Sequence, residues 1–211
     1  MPSLTGSSSR DTRTRIRPAA PERLLDLWRR IRGKSFTLAI ARTFAALGGH
    51  TMIEPPLRLH GARRIEIGSG VFIGPGSWLQ VPNDLSASEE DVIVRIGDGC
   101  SFVGWATVSA VIGVTIGERV LFARGVYICD HDHEFQRAGI PIMDQGHRNL
   151  QPVSIGDGAW LGQNVVVLPG AQIGRGAVIA ANSVVKDEIP DYSVAAGSPA
   201  KVIRSWSPTP S

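Results

Sequence analysis

"IGDGAWLGQNVVVLPGAQIGRGAVIAANSVV", residues 155–185, returns an aliphatic side chain at every sixth position: Ile155, Leu161, Val167, Ile173, Ile179 and Val185. Four places after each of the first five stands a small or compact residue: Ala159, Val165, Ala171, Ala177 and Ser183. The same phase runs through Ile116, Phe122 and Ile128, with Val120 and Val126 at the compact places. It recurs more loosely at Ile67, Ile73, Leu79 and at Ile96, Phe102, Val108. A period of six fits neither a helix nor a plain alternating strand, but it fits very short strands joined by tight corners and stacked in coils. A β-sandwich would instead place turn signals about every 8–12 residues with alternation between them. The aliphatic residue is expected to fill the interior of the stack. Gly68, Gly74, Gly97, Gly117, Gly156, Gly162 and Gly174 are expected to supply the corner dihedrals, with Asp98, Asp157 and Asn164 suited to corners for related reasons.

At 211 residues the chain is long enough for one domain with appendages. Two cysteines, Cys100 and Cys129, make no disulfide framework, and Cys100 falls on a compact interior place as a core thiol. No apolar stretch is long enough to span a bilayer, and the first residues lack the apolar core of a signal peptide. A cytoplasmic location is expected. The formal charge is only +3, yet Arg10, Arg13, Arg15, Arg17, Arg23, Arg29, Arg30, Arg32 and Lys34 crowd the first 34 positions. Residues 1–20, rich in Ser, Thr, Arg and Pro, read as a disordered basic tail. Residues 21–60 read as a helical leader and the entry to the first coil. Within it, "PERLLDLWRRIRGKSFTLAIARTFAAL" forms one or two helices with Leu24, Leu25, Leu27, Trp28, Ile31, Phe36, Leu38 and Ile40 as apolar surface. Such a basic amphipathic segment can lie peripherally on the anionic inner face of a membrane, although packing on the protein's own body is the commoner fate. No helix-turn-helix, zinc or aromatic RNA-binding signature accompanies the charge, so nucleic acid is not an expected partner.

The ladder breaks at "DHDH", residues 130–133, runs irregularly, and resumes at "AWLGQN", residues 159–164. Together with the closing "IPDYSVAAGSPAKVIR", residues 189–204, these features resemble the hexapeptide-repeat acyltransferases, in particular the maltose, galactoside and polysaccharide O-acetyltransferase branch. The resemblance covers Gly61 to Arg204. It implies an all-β domain over 61–204, a left-handed parallel β-helix of triangular section with the helical extension before it, a loop at 131–154 and a short tail at 205–211. It also implies a homotrimer and acetyl-CoA as acyl donor, with no metal. The handedness comes from the resemblance alone, since parallel crossovers are generally right-handed.

Flat sheet faces offer no pocket, so a site must come from a loop that leaves the coil and from grooves between subunits. Acyl transfer from a thioester to a sugar hydroxyl needs a base for the hydroxyl proton, and an imidazole suits that task. The resemblance places the family's histidine at His131, with Asp130 or Asp132 beside it to orient the ring. His133 is the rival base or an acceptor contact, and His147 is expected to be incidental. Two-residue alternation would put Cys129 on the same outer surface as His131, which leaves an acyl-cysteine route open. The resemblance further puts Trp160 on the pantetheine arm, the backbones of Gln163 and Ala181 on its amides, and Lys186, Lys201 and Arg204 on the coenzyme phosphates. One departure stands out: the stretch Phe102–Thr107 lacks the asparagine with which the branch seats its acceptor, and Trp105 within it is a candidate sugar platform. Two other functions are weighed. A γ-carbonic-anhydrase-like metalloenzyme would use three histidines, but the one-residue gap between His131 and His133 does not match its ligand spacing. An amino sugar would make the reaction an N-acetyl transfer.

Overall fold

The computed structural model describes residues 20–82 and 91–208. Short strands, two to four residues long before the terminal hairpin, turn around a three-sided prism and build three sheets that are parallel up to that hairpin. The first sheet holds seven strands from Ala46–Leu47 to Glu188–Ile189, and the second begins at Met52–Ile53. The third runs from Leu57–His60 to Val184–Val185 in six strands. Each coil visits the sheets in that order, so residues one coil apart lie in register. The architecture is a left-handed parallel β-helix with an N-terminal helix.

The six-beat is the interior. On the second sheet Ile53, Ile73, Phe102, Phe122, Leu161, Ile179 and Ala195 stack one above another in register. Phe102 and Phe122 lie face to face, ring centroids 4.2 Å apart and planes 5° from parallel. The compact residues Ala159, Val165, Ala171, Ala177 and Ser183 are buried beside them at the corners. Each large aliphatic residue sealed in this way contributes about 1.5–3 kcal/mol, and successive coils are tied by backbone bonds such as Gly97 N–H to Ile116 O at 2.8 Å.

The corner glycines work differently from the expectation. Positive φ falls two residues after each of them, at Gly70, Gly76, Gly99, Arg119, Gly158, Asn164 and Gly176. The expected glycines are required instead by close approach. A Cβ on Gly117 would sit 2.2 Å from Asp157 Oδ1, and one on Gly162 would sit 2.7 Å from the Ala181 nitrogen. Asp157 uses that same oxygen to accept the Glu118 N–H of the neighbouring coil at 2.8 Å.

The ladder also begins before the stretch that the resemblance covers. Residues 46–60 already form a full coil, in register with the next, and Val153 and Ser154 belong to a first-sheet strand rather than to the loop. Helix α1 (Ala20–Ile40) seats on this first coil. Thr37 Oγ1 donates to Gly33 O at 2.7 Å and accepts the edge-strand N–H of Ile53 at 2.8 Å. The Arg29 guanidinium holds both oxygens of buried Glu54 at 3.1 Å. Phe36 and Ile40 pack on the core, whereas Leu24, Leu25, Leu27, Trp28, Ile31 and Leu38 are exposed. At the other end Ser193–Gly197 and Ala200–Ser205 pair antiparallel and finish the second sheet. The expectation for residues 1–19 lies outside the described residues. Among those described, no helix is long and apolar enough to cross a membrane.

Candidate active site

The edge where the third sheet turns into the first carries the break. After Tyr127–Cys129 the chain leaves the prism at Asp130 and rejoins it at Val153. Two coils earlier, on the same edge, the connection from Gln80 to Val94 is also longer than a corner needs.

Asp130 is the anchor of the break. Its carboxylate is fully buried and accepts three consecutive N–H groups of the preceding coil's corner: Val111 at 2.9 Å, Ile112 at 2.8 Å and Gly113 at 2.7 Å. Its Oδ1 lies 2.8 Å from His131 Nδ1. Burial works to raise the carboxyl pKa, but the bonds from His131, Gly113, Val111 and Ile112 outweigh it and hold the group below the usual carboxylate range. An ionised carboxylate only accepts, so Nδ1 carries the ring proton and the Nε2 lone pair is left as the acceptor. That tautomer can take a proton from a hydroxyl.

The excursion is a stitched arm. Asp132–His133 pairs antiparallel with His147–Arg148, which sets His133 opposite His147. The His147 ring stands edge-on to His131 at 4.7 Å between centroids, closer than His133 at 6.5 Å. Buried Gln145 ties the arm's tip: its Nε2 donates to Arg137 O at 3.0 Å and Ile140 O at 2.6 Å, and its Oε1 accepts the Arg137 N–H at 3.0 Å. Asn149 Nδ2 donates to Asp132 Oδ2 at 2.8 Å, so of the two flanking aspartates only Asp130 holds His131. His147, expected to be incidental, thus lies beside His131. Its place follows from a pairing across the arm that carries no period in the sequence.

Cys129 and His131 do not share an exposed outer surface, since both side chains are buried. Cys129 is 3 % exposed, and burial pushes its thiol pKa up despite a bond from Tyr127. A protonated, enclosed thiol is a poor nucleophile. Cys100 is likewise buried and is pushed up to about 11, as suits a core thiol.

The other expected residues lie elsewhere on the prism. Trp160 is half-exposed on the second sheet, in register with Leu121 and Val178. Gln163 and Ala181 stack one coil apart at the edge between the second and third sheets, where Gln163 O accepts the Asn182 N–H at 2.8 Å. Trp105 stands on that same edge, exposed, at φ 56°, with the Arg124 guanidinium 5.2 Å above its ring. Lys186 and Lys201 share one carboxylate, reaching Asp187 at 3.0 and 3.4 Å, and Arg204 is exposed in the terminal hairpin. One chain thus sets His131, Asp130, His133 and His147 on one edge, and Trp105, Trp160, Gln163 and Ala181 on or beside another. No group of three His, Cys, Asp or Glu side chains among the described residues is arranged to hold a metal ion. His133 and His147 both stand edge-on to His131, and their own rings lie 5.5 Å apart at 38°.

Two family models match this ladder: "Hexapeptide repeat of succinyl-transferase" over residues 93–129 and "Bacterial transferase hexapeptide (six repeats)" over 152–187. This chain is a hexapeptide-repeat protein, and the resemblance to hexapeptide-repeat acyltransferases stands. Among similar proteins, a probable acetyltransferase of Mycobacterium tuberculosis is 37 % identical over 193 residues, covering 90 % of this chain and 59 % of that protein. WbbJ of Escherichia coli, named as a candidate lipopolysaccharide biosynthesis O-acetyl transferase, is 38 % identical over 120 residues, covering 54 % of this chain and 61 % of its own. This chain thus spans about three-fifths of the length of both. A crystal structure of a mutant of AntD, an N-acyltransferase from Bacillus cereus in complex with dTDP and coenzyme A, superposes with a TM-score of 0.67. It has 17 % identity and covers 82 % of this chain and 88 % of that one. At that identity the likeness concerns the fold.

Proposed function

We propose that this hexapeptide-repeat protein is an acetyl-CoA-dependent O-acetyltransferase acting on a hydroxyl of a sugar or glycan, with His131 as general base. The observation that carries the reading is the buried Asp130 carboxylate, which fixes the His131 ring with Nε2 as acceptor. The acceptor hydroxyl gives its proton to Nε2 as its oxygen attacks the thioester carbonyl. The carbon–sulfur bond then breaks, and the coenzyme leaves as a thiol carrying that proton. A positioned base contributes on the order of 100- to 10,000-fold to such a step.

In this reading Trp160 and the backbones of Gln163 and Ala181 line the groove for the pantetheine arm, while Lys186, Lys201 and Arg204 meet the phosphates. Asp187 already gathers the two lysines into one place. Trp105 and His133 contact the acceptor. Because base and donor groove lie on different edges of one chain, the site is completed between subunits of a homotrimer. The AntD complex with coenzyme A and the name given to WbbJ support the donor and the glycan acceptor. A polysaccharide-building role on the cytoplasmic side follows from a cytoplasmic donor.

The test is a mass-shift screen of the purified chain with acetyl-CoA against sugars, sugar nucleotides and glycan fragments, with hydroxyl and amine acceptors in separate arms. A gain of one acetyl group on a hydroxyl, lost in His131→Ala, is expected. Acetylation of amines alone would make the protein an N-acetyltransferase and overturn the assignment of the acceptor.

A further inference from the structure

Helix α1 is gripped on one side and bare on the other. Gly33 and Thr37 are its buried residues, and the clamps from Thr37 to Ile53 and from Arg29 to Glu54 fix its roll on the first coil. Leu24, Leu27, Trp28, Ile31 and Leu38 are each more than half exposed. At about 100° per residue these five share one stripe, and Ile31 stands roughly 200° around the helix from Gly33. The stripe therefore faces directly away from the body that holds the helix. It is not a stretch of core left uncovered by a slip in packing, since the opposite side is the one that is bonded down.

The flanks of the stripe are cationic. Arg23, Arg30 and Lys34 follow one side. On the other, Arg32 lays its guanidinium 4.8 Å over the Trp28 ring while donating to Pro55 O at 3.2 Å. Up to Lys34 the chain has nine Lys and Arg against three Asp and Glu, a surplus of six in a protein whose whole formal charge is +3. A second observation lies beside the stripe. An open cleft of about 510 Å³ runs between the helix and the first coil, lined by Arg30, Lys34, His50 and Thr51 with Leu38 and Met52. Cations and a hydroxyl next to apolar side chains suit a phosphate with a hydrocarbon tail. A second copy of this helix fits less well, because its flanks would bring like charges together.

We propose that this face of α1 docks on the surface of an anionic phospholipid bilayer, with the stripe entering the acyl boundary and the adjoining cleft taking a lipid phosphate. The helix then lies in the plane of the interface, as its charge and exposed apolar residues require, and the prism is held beside the membrane at a fixed roll. The inference does not depend on the acyl-transfer reading.

The experiment is co-sedimentation of the full chain with vesicles of phosphatidylcholine alone and of phosphatidylcholine with phosphatidylglycerol. Two double variants are compared, Leu27→Ser with Ile31→Ser and Arg30→Glu with Lys34→Glu. Both alter exposed residues, and circular dichroism with thermal melting confirms that each remains folded. Binding to the anionic vesicles only, weakened by salt and about tenfold or more by each double variant, is the expected result. Absence of binding by the full chain overturns the proposal. Binding that neither double variant weakens also overturns it, because the basic residues before the helix would then act alone. If the serine variant instead changes the sedimenting size of the protein without any vesicle binding, a second copy covers the stripe and the membrane assignment falls.

Discussion

Asp130 Oδ1 lies 2.8 Å from His131 Nδ1, and the same carboxylate closes on the N–H groups of Val111, Ile112 and Gly113. One buried side chain thus fixes both the tautomer of the ring and the place where the arm leaves the coil. Asp130→Asn tests this directly. An amide presents a donor to donors, so the variant should lose about 1–3 kcal/mol of stability. Turnover should fall on the order of 100- to 10,000-fold while coenzyme A binding, read by calorimetry, survives. His131→Ala should match that loss of turnover, and His133→Ala should retain much more. A reversal of the two histidines would move the base to His133.

The acid limb of stability carries the same signature. The folded Asp130 carboxyl has a depressed pKa, so its contribution is present above the unfolded value of about 3.9 and is lost as pH falls through the folded value. Urea denaturation of the wild type and Asp130→Asn from neutral to acid pH should show a gap that is wide at pH 7 and narrows below about pH 4. A constant gap across that range would mean that the carboxylate's charge contributes nothing.

Cys129→Ala should leave turnover within about threefold of wild type, because an enclosed thiol with a raised pKa has no part in the proton path. Intact-protein mass spectrometry of the wild type with acetyl-CoA should show no acyl adduct. An adduct that disappears in Cys129→Ala would restore the covalent route.

The interior was open to reading because burial repeats: every sixth side chain faces the same axis, and the sequence must say so at Ile155 as at Ile179. The first coil keeps the same beat, with Leu47, Ile53 and Leu59 six apart and in register with Ile67, Ile73 and Leu79, but it lies before the stretch that the resemblance covers. His131 and Asp130 could be picked out since they are adjacent and mark the break. His147 could not, as it reaches His131 through an antiparallel pairing across an arm whose closure depends on Gln145. Cys129 was misplaced for a related reason: alternation says which way a residue points but not what covers it.

Glycines at different places of the same corner in neighbouring coils should respond unequally to asparagine. Gly158 has φ 66° and nothing within 4 Å of an added Cβ, and Asn164 and Asn182 hold comparable positive φ values at 56° and 59°. Gly158→Asn should therefore shift stability by less than about 1 kcal/mol. Gly117→Asn drives its Cβ into Asp157 and displaces the carboxylate from the Glu118 N–H, at a cost of roughly 3 kcal/mol or more. Urea midpoints of the two variants decide it, and equal losses would mean that close approach of coils is not what selects glycine.

The division of residues between two edges gives the last prediction. His131 sits where the third sheet meets the first, while Trp160 belongs to the second sheet and Gln163 and Ala181 follow it around the next edge. In a closed threefold assembly of such prisms, a groove between neighbours brings one edge of one chain against a different edge of the next, giving three composite sites. Damage on the two edges should then be complementable. A His131→Ala chain and a chain carrying Lys201→Glu with Arg204→Glu should each be inactive when refolded alone and should each still form trimers. Denatured and refolded together, they should yield mixed trimers in which some grooves combine an intact His131 with an intact donor face, with partial return of turnover. Differently tagged chains purified in tandem establish that mixing has occurred. If such mixed trimers stay inactive, base and donor groove are supplied by a single chain, and the shared-site arrangement fails.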